Sequence, residues 1–261
     1  MVRFKGISGR DPKELAVLNM DEHLKDERLK QKYVSTMFDI LAPGYDNFTR
    51  IFSFGMDRAW KESLIAEGVR RAAPSPRILD LACGTGDLCT ALAERTRSPL
   101  AFGCDLSEKM LVEATRRASH HRTLPLQFAL GNMLTLPVAD ASFDIVSIGY
   151  GIRNTHEPDR ALSEIARVLR PGGLLLNLDF YRPTNALWRE LYLGYMSVSG
   201  NAAGWLWHRE PVTYGYIASS IRRFLTMPDF EAALTRAGFK VEWRKRHLFG
   251  GLGLHVARKI A

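Results

Sequence analysis

Short apolar runs alternate with amphipathic segments between residues 77 and 183. The runs are rich in Ile, Leu, Val and Phe, as buried strands are, whereas the segments between them repeat apolar positions with helical spacing. The predicted strands are Ile78–Ala82, Leu100–Cys104, Leu126–Leu130, Phe143–Ile148 and Leu174–Asp179, and the predicted helices are Asp87–Arg95, Glu108–Ala118 and Pro158–Leu169. This alternation predicts an α/β fold with a doubly wound, mostly parallel, Rossmann-like sheet.

The pattern differs on both sides of this core. Lys13–Tyr33 carries leucines at helical spacing among charged residues, which predicts a surface helix after a loose end. A further helix is predicted from Trp60 to Arg71, ended by prolines. After Pro183 the chain is dense in Trp, Tyr, Leu and Gly, and we expect inserted helices that form a lid, with a packed cap on the sheet as the alternative.

The C-terminal segment resumes the alternation. A helix over Pro228–Ala237 stops at Gly238, and the strands Lys240–Lys245 and Gly253–Arg258 are expected to finish the sheet as an antiparallel hairpin. The chain then divides into a polar N-terminal extension (1–32) and a single domain (33–261), made of N-terminal helices (33–76), a core (77–183), a lid insertion (184–227) and a C-terminal helix and hairpin (228–261).

Composition is ordinary for a globular protein, with 46% hydrophobic residues in 261, but the formal net charge of +8 favours anionic partners. A nucleic acid, an acidic membrane or an anionic ligand would satisfy it equally, and so would a merely solvated basic surface. Cys83, Cys89 and Cys104 fit no zinc spacing, so we expect reduced thiols and no metal site. The chain shows no signal-peptide pattern and no span-length apolar stretch, which predicts a cytoplasmic protein whose membrane contact is at most peripheral.

The most informative segment is ILDLACGTGDL, residues 78–88. A buried strand runs into Gly84 and Gly86 before a helix, which is the first turn of a nucleotide-binding fold. Asp80 and Asp87 bracket this turn and would repel a pyrophosphate, whereas they attract the amino group and sulfonium of S-adenosylmethionine. A helix cap at Asp87 and a local hydrogen bond at Asp80 are the structural alternatives.

Polar residues also follow the second and third strands. Asp105 ends the second strand, where a carboxylate can accept both ribose hydroxyls. Asn132 and Met133 follow the third strand, where Asn132 could read the adenine edge and Met133 could pack on its face. An ordinary turn explains Asn132 and Met133 equally well.

Four features of the chain together resemble the class I S-adenosylmethionine methyltransferases: Asp80–Gly86, Asp105, FDIV at 143–146, and RVLRPGG at 167–173 in the turn before the fifth strand. A narrower resemblance, to the ubiquinone/menaquinone biosynthesis C-methyltransferases (the demethylmenaquinone methyltransferase type), rests on YDNFTRIFSFGMDRAWK (45–61), YGIRN (150–154), YGYIASSIRRF (214–224) and FEAALTRAGF (230–239). The chain departs from that family at Phe48-Thr49 and at Asp179-Phe180-Tyr181.

The resemblance implies an activity and a site. The family methylates a ring carbon of a polyprenylated quinol, usually at the cytosolic face of a membrane. Its donor contacts fall here on Thr85, Asp105, Asn132, Met133 and Gly149. A benzoquinol and a naphthoquinol acceptor both stay open, as does a homodimer.

A ring carbon becomes a good nucleophile when the neighbouring hydroxyl is ionised. We expect Arg153 to stabilise that phenolate and Asn154 to orient a water, with Tyr45 as a relay or ring contact and Asp46 as an alternative base. An ion pair of Arg153 with Asp159 or Glu157, and a core role for Tyr45, are the alternatives.

The basic surface, the N-terminal helix and the Trp-rich lid fit an enzyme that meets an isoprenoid tail beside an anionic bilayer. Three other functions compete with this interpretation: methylation of another small aromatic molecule, methylation of RNA, and a non-enzymatic scaffold in quinone synthesis. The chain has no appended RNA-binding motif, so no nucleic-acid partner is expected.

Overall fold

A computed structural model describes residues 27–42, 49, 53, 55–208 and 212–260. The helices are α1 (Glu27–Leu41), α2 (Asp57–Arg71), α3 (Asp87–Thr96), α4 (Glu108–Ala118), α5 (Pro158–Val168), α6 (Ala186–His208), α7 (Val212–Arg223) and α8 (Met227–Arg236). The strands are β1 (Ile78–Leu81), β2 (Ala101–Asp105), β3 (Leu126–Leu130), β4 (Phe143–Gly149), β5 (Leu169–Phe180), β6 (Phe239–His247) and β7 (Leu252–Lys259). Short 3₁₀ turns cover Ile152–Asn154 and Leu248–Gly250.

All seven described strands form one sheet in the order β3-β2-β1-β4-β5-β7-β6. The first five are parallel, and β7 is antiparallel to both β5 and β6. The predicted doubly wound sheet and its antiparallel C-terminal hairpin are therefore confirmed. The strand order reverses between β1 and β4, which is where α/β folds of this kind hold their ligands.

Two predicted boundaries are wrong by five residues or more, and smaller shifts occur elsewhere, such as a start at Asp57 rather than Trp60 for α2. Strand β5 begins at Leu169 rather than Leu174, because Leu169 already pairs with Phe143 across an irregularity in β4. The predicted surface helix over Lys13–Tyr33 lies mostly outside the described residues. Its described part, α1, continues to Leu41, and apolar positions from Tyr33 onward are buried against the sheet layer rather than exposed.

Helices cover both faces of the sheet. One apolar cluster joins α1, α2, α3, α6 and α7 to the even-numbered leucines of β5, and the other joins α5 and α8 to the opposite face. Helix α2 lies close to the sheet because Gly68 faces β5, where an added Cβ would come within 2.5 Å of Leu176 Cδ1. In the described part of the chain, no helix combines the length and hydrophobicity needed to cross a bilayer.

Candidate functional site

The glycine loop between β1 and α3 is shaped by backbone conformation. Gly86 caps α3 with φ +83°, a left-handed value that favours glycine, and an added Cβ would lie 3.0 Å from Phe128 Cζ. Gly84 also has a positive φ, of +53°, but no atom lies within 4 Å of where its Cβ would stand. The loop therefore offers open space beside Gly84, where a ligand can approach the main chain.

Asp80 fastens this loop to the sheet. Its carboxylate accepts a hydrogen bond from the Cys89 amide, in the first turn of α3, at 3.1 Å, and another from Ser147 Oγ at 2.6 Å. The side chain is buried, and burial raises the pKa of Asp80 to about 7. The local hydrogen bond considered from sequence is present, and a buried carboxylate also lies beside the loop.

Asp105, at the end of β2, organises the neighbouring turn. One carboxylate oxygen accepts the Gly84 amide at 2.9 Å and the other accepts the Ser107 amide at 2.8 Å. Burial raises the pKa of Asp105. Each carboxylate oxygen has a second lone pair, so these bonds leave capacity for further donors.

The ends of β1, β2 and β4 border one cavity, which we call the loop cavity. It is lined by Ala82, Gly84, Cys104, Asp105, Leu106, Ser107, Met110, Gly131, Met133, Gly149, Tyr150, Gly151 and Asn154, together with Val34, Ser35 and Phe38 of α1. A second hollow adjoins it at Gly84 and Gly149 and is lined by Asp80, Thr85 and Asp87. Six of the eight residues predicted to contact the donor line these two hollows, namely Asp80, Gly84, Thr85, Asp105, Met133 and Gly149, and Gly86 belongs to the loop beside them.

Asn132 is placed differently. Its side-chain oxygen accepts the Leu134 amide at 3.0 Å, which closes a turn, and Met133 lines the cavity instead. The turn alternative describes this geometry, and an adenine contact from Asn132 stays a prediction.

Asp87 is the first residue of α3 rather than its cap. Its carboxylate lies 3.1 Å from Arg117 Nη1 and 3.5 Å from Lys61 Nζ. Lys61 also pairs with Asp57, so a charged chain runs from α2 to the mouth of the loop. The cap considered from sequence is wrong, because Gly86 occupies that position.

Tyr150 lines the loop cavity just before the turn at 152–154, and sequence reasoning did not single it out as a site residue. It has a positive φ of 58°, a strained value for a residue with a side chain. Its hydroxyl donates to Asp57 Oδ1 at 2.7 Å and its ring stacks on Phe180 at 5.2 Å. Strain of this kind collects at functional turns, but backbone dihedrals are not visible in a sequence.

Arg153 points toward the end of β5. Its Nη1 donates to Asp179 Oδ1 at 2.8 Å and to the Tyr150 carbonyl at 2.7 Å, and its amide donates to Asp179 Oδ2 at 3.1 Å. Both side chains are buried. The ion pair proposed from sequence with Asp159 or Glu157 is therefore wrong.

Those two carboxylates have other partners on the surface. Asp159 pairs with Arg236 and Glu157 with Arg160. Neighbours in sequence were assumed to be neighbours in space, whereas the turn at 152–154 directs Arg153 inward. Asp179, one of the residues at which the chain departs from the family pattern, is its true partner.

Asn154 lines the loop cavity and is fixed from both ends. Its Nδ2 donates to the Tyr150 carbonyl at 3.0 Å, and its Oδ1 accepts from the Tyr216 hydroxyl of α7 at 3.2 Å. Arg153 lies on the other side of the turn, in a cationic cavity shared with Lys30 and Arg223. Burial, with both arginines nearby, lowers the pKa of Lys30 to about 8. Tyr45 and Asp46 lie outside the described residues, and their roles stay predictions.

The three cysteines are buried free thiols around the loop. Burial raises the pKa of Cys83, Cys89 and Cys104, which keeps them protonated and weakly nucleophilic. They pack the ligand region rather than react in it.

Comparison with known proteins identifies the chain's relatives. The model of the ubiE/COQ5 methyltransferase family matches residues 26–259. A demethylmenaquinone methyltransferase from Beutenbergia cavernae is 38% identical over 87% of this chain and 91% of its own length. A ubiquinone/menaquinone biosynthesis C-methyltransferase, UbiE, from Rubrivivax gelatinosus is 36% identical over 90% of both chains.

Solved structures support the fold at lower identity. A methyltransferase-type protein from Haloferax volcanii, solved with the Trm112 methyltransferase activator, superposes with a TM-score of 0.62 at 20% identity. The match covers 86% of this chain and 98% of the other. A sarcosine dimethylglycine methyltransferase-type protein from Galdieria sulphuraria gives the same TM-score at 12% identity, over 82% and 98% of the two chains. These likenesses establish a methyltransferase-type fold.

Proposed function

Because this chain belongs to the ubiE/COQ5 methyltransferase family, we propose that it transfers a methyl group from S-adenosylmethionine to a ring carbon of a polyprenylated quinol. The curated relatives are named for menaquinone and ubiquinone biosynthesis, which is the pathway we propose for this enzyme. The observation that carries the proposal is the meeting of the glycine loop, Asp105 and Asn154 at one cavity.

The residues around the loop cavity fit S-adenosylmethionine. The space beside Gly84 admits a ligand against the main chain, and Asp105 keeps acceptor capacity for ribose hydroxyls. Met133 offers an apolar face for an adenine ring. When bound, S-adenosylmethionine supplies an electrophilic methyl group.

The charge beside the loop favours this donor over a dinucleotide. Asp80 is buried next to the loop, and Asp87 stands at the start of α3, where a pyrophosphate would otherwise bind. The buried Asp80 carboxylate opposes a phosphate and favours the amino group and sulfonium of the donor, while Arg117 and Lys61 partly offset the charge of Asp87. Asp80 is therefore the main group that favours a cation here.

On the acceptor side we assign roles to the turn that follows β4. Arg153 carries a permanent charge at the end of β5, and we propose that it lowers the pKa of the acceptor hydroxyl, so that the phenolate is present for attack. Asp179 is a positioning residue that holds the guanidinium in place. Asn154, which lines the loop cavity, orients the water that takes the proton, and Tyr45 contacts the ring.

We also propose a peripheral location at the cytoplasmic face of a membrane. The acceptor's isoprenoid tail keeps it in lipid, and the net charge of +8 favours an anionic surface.

The first test is calorimetry of S-adenosylmethionine binding to the wild type and to Asp105→Ala. We expect tight binding by the wild type and a loss of about a hundredfold in the variant, since a bidentate acceptor is removed. Asp140→Ala, an exposed carboxylate paired with Arg167, is the matched control and should bind normally. A folded wild type that does not bind the donor contradicts the methyltransferase assignment.

Acceptors are then compared with labelled methyl donor. We expect transfer to a demethylated quinol with a prenyl tail, and a large loss of turnover in both Arg153→Ala and Arg153→Lys. Near-normal turnover in both variants refutes the role of Arg153. Equal transfer to tail-free aromatic molecules instead identifies another small aromatic acceptor.

A further inference from the structure

Helix α6 exposes an apolar stripe on its outer side. Leu187, Leu191, Tyr195 and Val198 recur with helical spacing and are between 41% and 74% exposed. Their positions fall on one side of the helix, while Tyr192 and Met196 on the opposite side are buried in the core. A contiguous apolar surface that faces solvent is a mark of an interaction site.

A second exposed apolar group adjoins this stripe. Phe249 projects from the turn between β6 and β7 with 82% of its surface exposed, and both Leu248 and Phe249 have positive φ angles of 48°. The Phe249 ring meets the Trp188 ring edge-on at 5.2 Å. The backbone thus adopts a strained conformation that holds a large apolar side chain in water.

The turn and the helix form one rigid unit. Trp188 Nε1 donates to the Leu248 carbonyl at 3.0 Å, and the Tyr192 hydroxyl donates to the Gly251 carbonyl at 3.2 Å. The stripe and Phe249 therefore keep a fixed relation to each other.

Basic residues line the other side of the Phe249 turn. A cavity of about 270 Å³, the arginine cavity, is lined by Arg182, Thr184, Met227, Pro228, Glu231, Arg244, Arg246, Phe249 and Gly250. Arg244 pairs with Glu231, but within the described residues neither Arg182 nor Arg246 has an ion pair, and Arg182 Nε is buried without a hydrogen-bond partner. The cavity suits a phosphate group.

The position of this surface connects it to the site. Gly251 follows the turn and accepts the Tyr181 amide, next to the carboxyl end of β5, and α6 begins shortly after β5. The exposed stripe, Phe249 and the arginine cavity thus lie at the sheet edge that carries the loop cavity.

We propose that the α6 stripe and the Phe249 turn form a docking surface for an anionic lipid bilayer, with the arginine cavity receiving a lipid phosphate. Apolar side chains enter the interface while the arginines meet the headgroups. A second copy of this chain would bring like charges together, whereas anionic lipid is complementary. This surface rests on the proposed function, because an acceptor with an isoprenoid tail lies in that bilayer.

The test is co-sedimentation of the full chain with phosphatidylcholine vesicles, with and without phosphatidylglycerol. The wild type should bind only the anionic vesicles. Leu191→Ser combined with Phe249→Ser should weaken binding by about tenfold or more, since two apolar groups leave the interface. Arg246→Glu should weaken it by roughly tenfold, since each basic side chain near the surface contributes.

Two matched controls separate a docking surface from bulk effects. Val112→Ser removes an apolar side chain that is 50% exposed on α4, and Arg122→Glu makes the same charge change in the loop after α4. Both should bind as the wild type does. Equal losses in variants and controls, or no preference of the wild type for anionic vesicles, overturn the proposal.

Sedimentation velocity tests whether a second copy of this chain, rather than lipid, occupies the surface. A wild-type dimer that the Leu191→Ser/Phe249→Ser variant dissociates would assign the surface to a second copy and overturn the lipid assignment. Methylation of a water-soluble, short-tailed quinol is measured in parallel. If this transfer proceeds and vesicle binding fails, docking alone is wrong, and if vesicles bind while transfer fails, the proposed acceptor is wrong.

Discussion

The proposed donor half of the site, made of the glycine loop with Asp80 and Asp105, comes largely from one sequence motif and the strand that follows it. The proposed acceptor half, around Arg153 and Asn154, depends on contacts with two later elements of the chain. In the donor half, the loop and Asp80 belong to residues 78–88 and Asp105 ends the next strand along the chain, although Asp80 also accepts a hydrogen bond from Ser147 of β4. In the acceptor half, Arg153 bonds to β5 and Asn154 to α7. A short motif can encode the first arrangement, but the second requires the whole fold.

If this contrast is right, the largest single effect comes from breaking the buried ion pair of the acceptor half. Asp179→Ala leaves the Arg153 charge buried without its carboxylate, and we expect a loss of about 3–5 kcal/mol in the free energy of unfolding. Chemical denaturation measures it. Asp159→Ala, which breaks the exposed pair with Arg236, should change stability little. Equal effects of the two substitutions would contradict the contrast.

The next effect concerns the backbone of the donor half. Gly86→Ala places a side chain at a φ of +83° and against Phe128, so we expect a stability loss of about 1–2 kcal/mol and weaker donor binding. Gly194→Ala in α6 is the control, and its expected change in stability has the opposite sign. Its added methyl meets nothing within 4 Å, so helix propensity should raise stability by about 0.5–1 kcal/mol. Thermal unfolding measures the stability of both variants, and calorimetry measures their affinity for the donor. Unchanged donor affinity in Gly86→Ala would contradict a role of the glycine loop in donor binding.

A pH series sharpens the electrostatic side of the donor half. The pKa of Asp80 is raised to about 7, so the free protein takes up a proton as the pH falls through that value. A cationic donor binds the ionised form better, and its affinity should fall by about tenfold from pH 8 to pH 6. Asp80→Asn should make donor affinity much less dependent on pH, and we attribute any dependence that remains to Asp105. Affinity that rises as the pH falls would reverse the assigned sign.

The smallest effect distinguishes turnover from donor binding. Tyr216→Phe removes the hydrogen bond to Asn154, whose net contribution to the free energy of unfolding is about 0.5–1.5 kcal/mol. Because Asn154 belongs to the acceptor half, we expect kcat to fall several-fold while the dissociation constant of the donor stays unchanged. Steady-state kinetics with parallel calorimetry separate the two. A larger dissociation constant of the donor in Tyr216→Phe would show that the two halves of the site are not independent.

The same contrast explains how far sequence reasoning reached. Alternating strands and helices predicted the sheet, and the loop 78–88 with Asp105 predicted the ligand region, because both signals are local in the chain. The predicted ion-pair partners of Arg153 were wrong, because a single sequence does not show that the turn at 152–154 directs this side chain inward to Asp179. The positive φ of Tyr150 and its bond to Asp57 likewise depend on packing between distant elements.

Two hydrogen bonds, from Tyr216 to Asn154 and from Tyr192 to the Gly251 carbonyl, limit which chain segments can be exchanged between related enzymes. The proposed insertion at 184–227 is joined to the rest of the fold by these two hydroxyls, together with the bond from Trp188 Nε1 to the Leu248 carbonyl. A chimaera that imports this insertion to change acceptor choice must therefore keep a tyrosine at both fastening points or replace the partner as well. The glycine loop takes no part in either bond, so the imported piece can be redesigned while the methyl-donor machinery is left untouched.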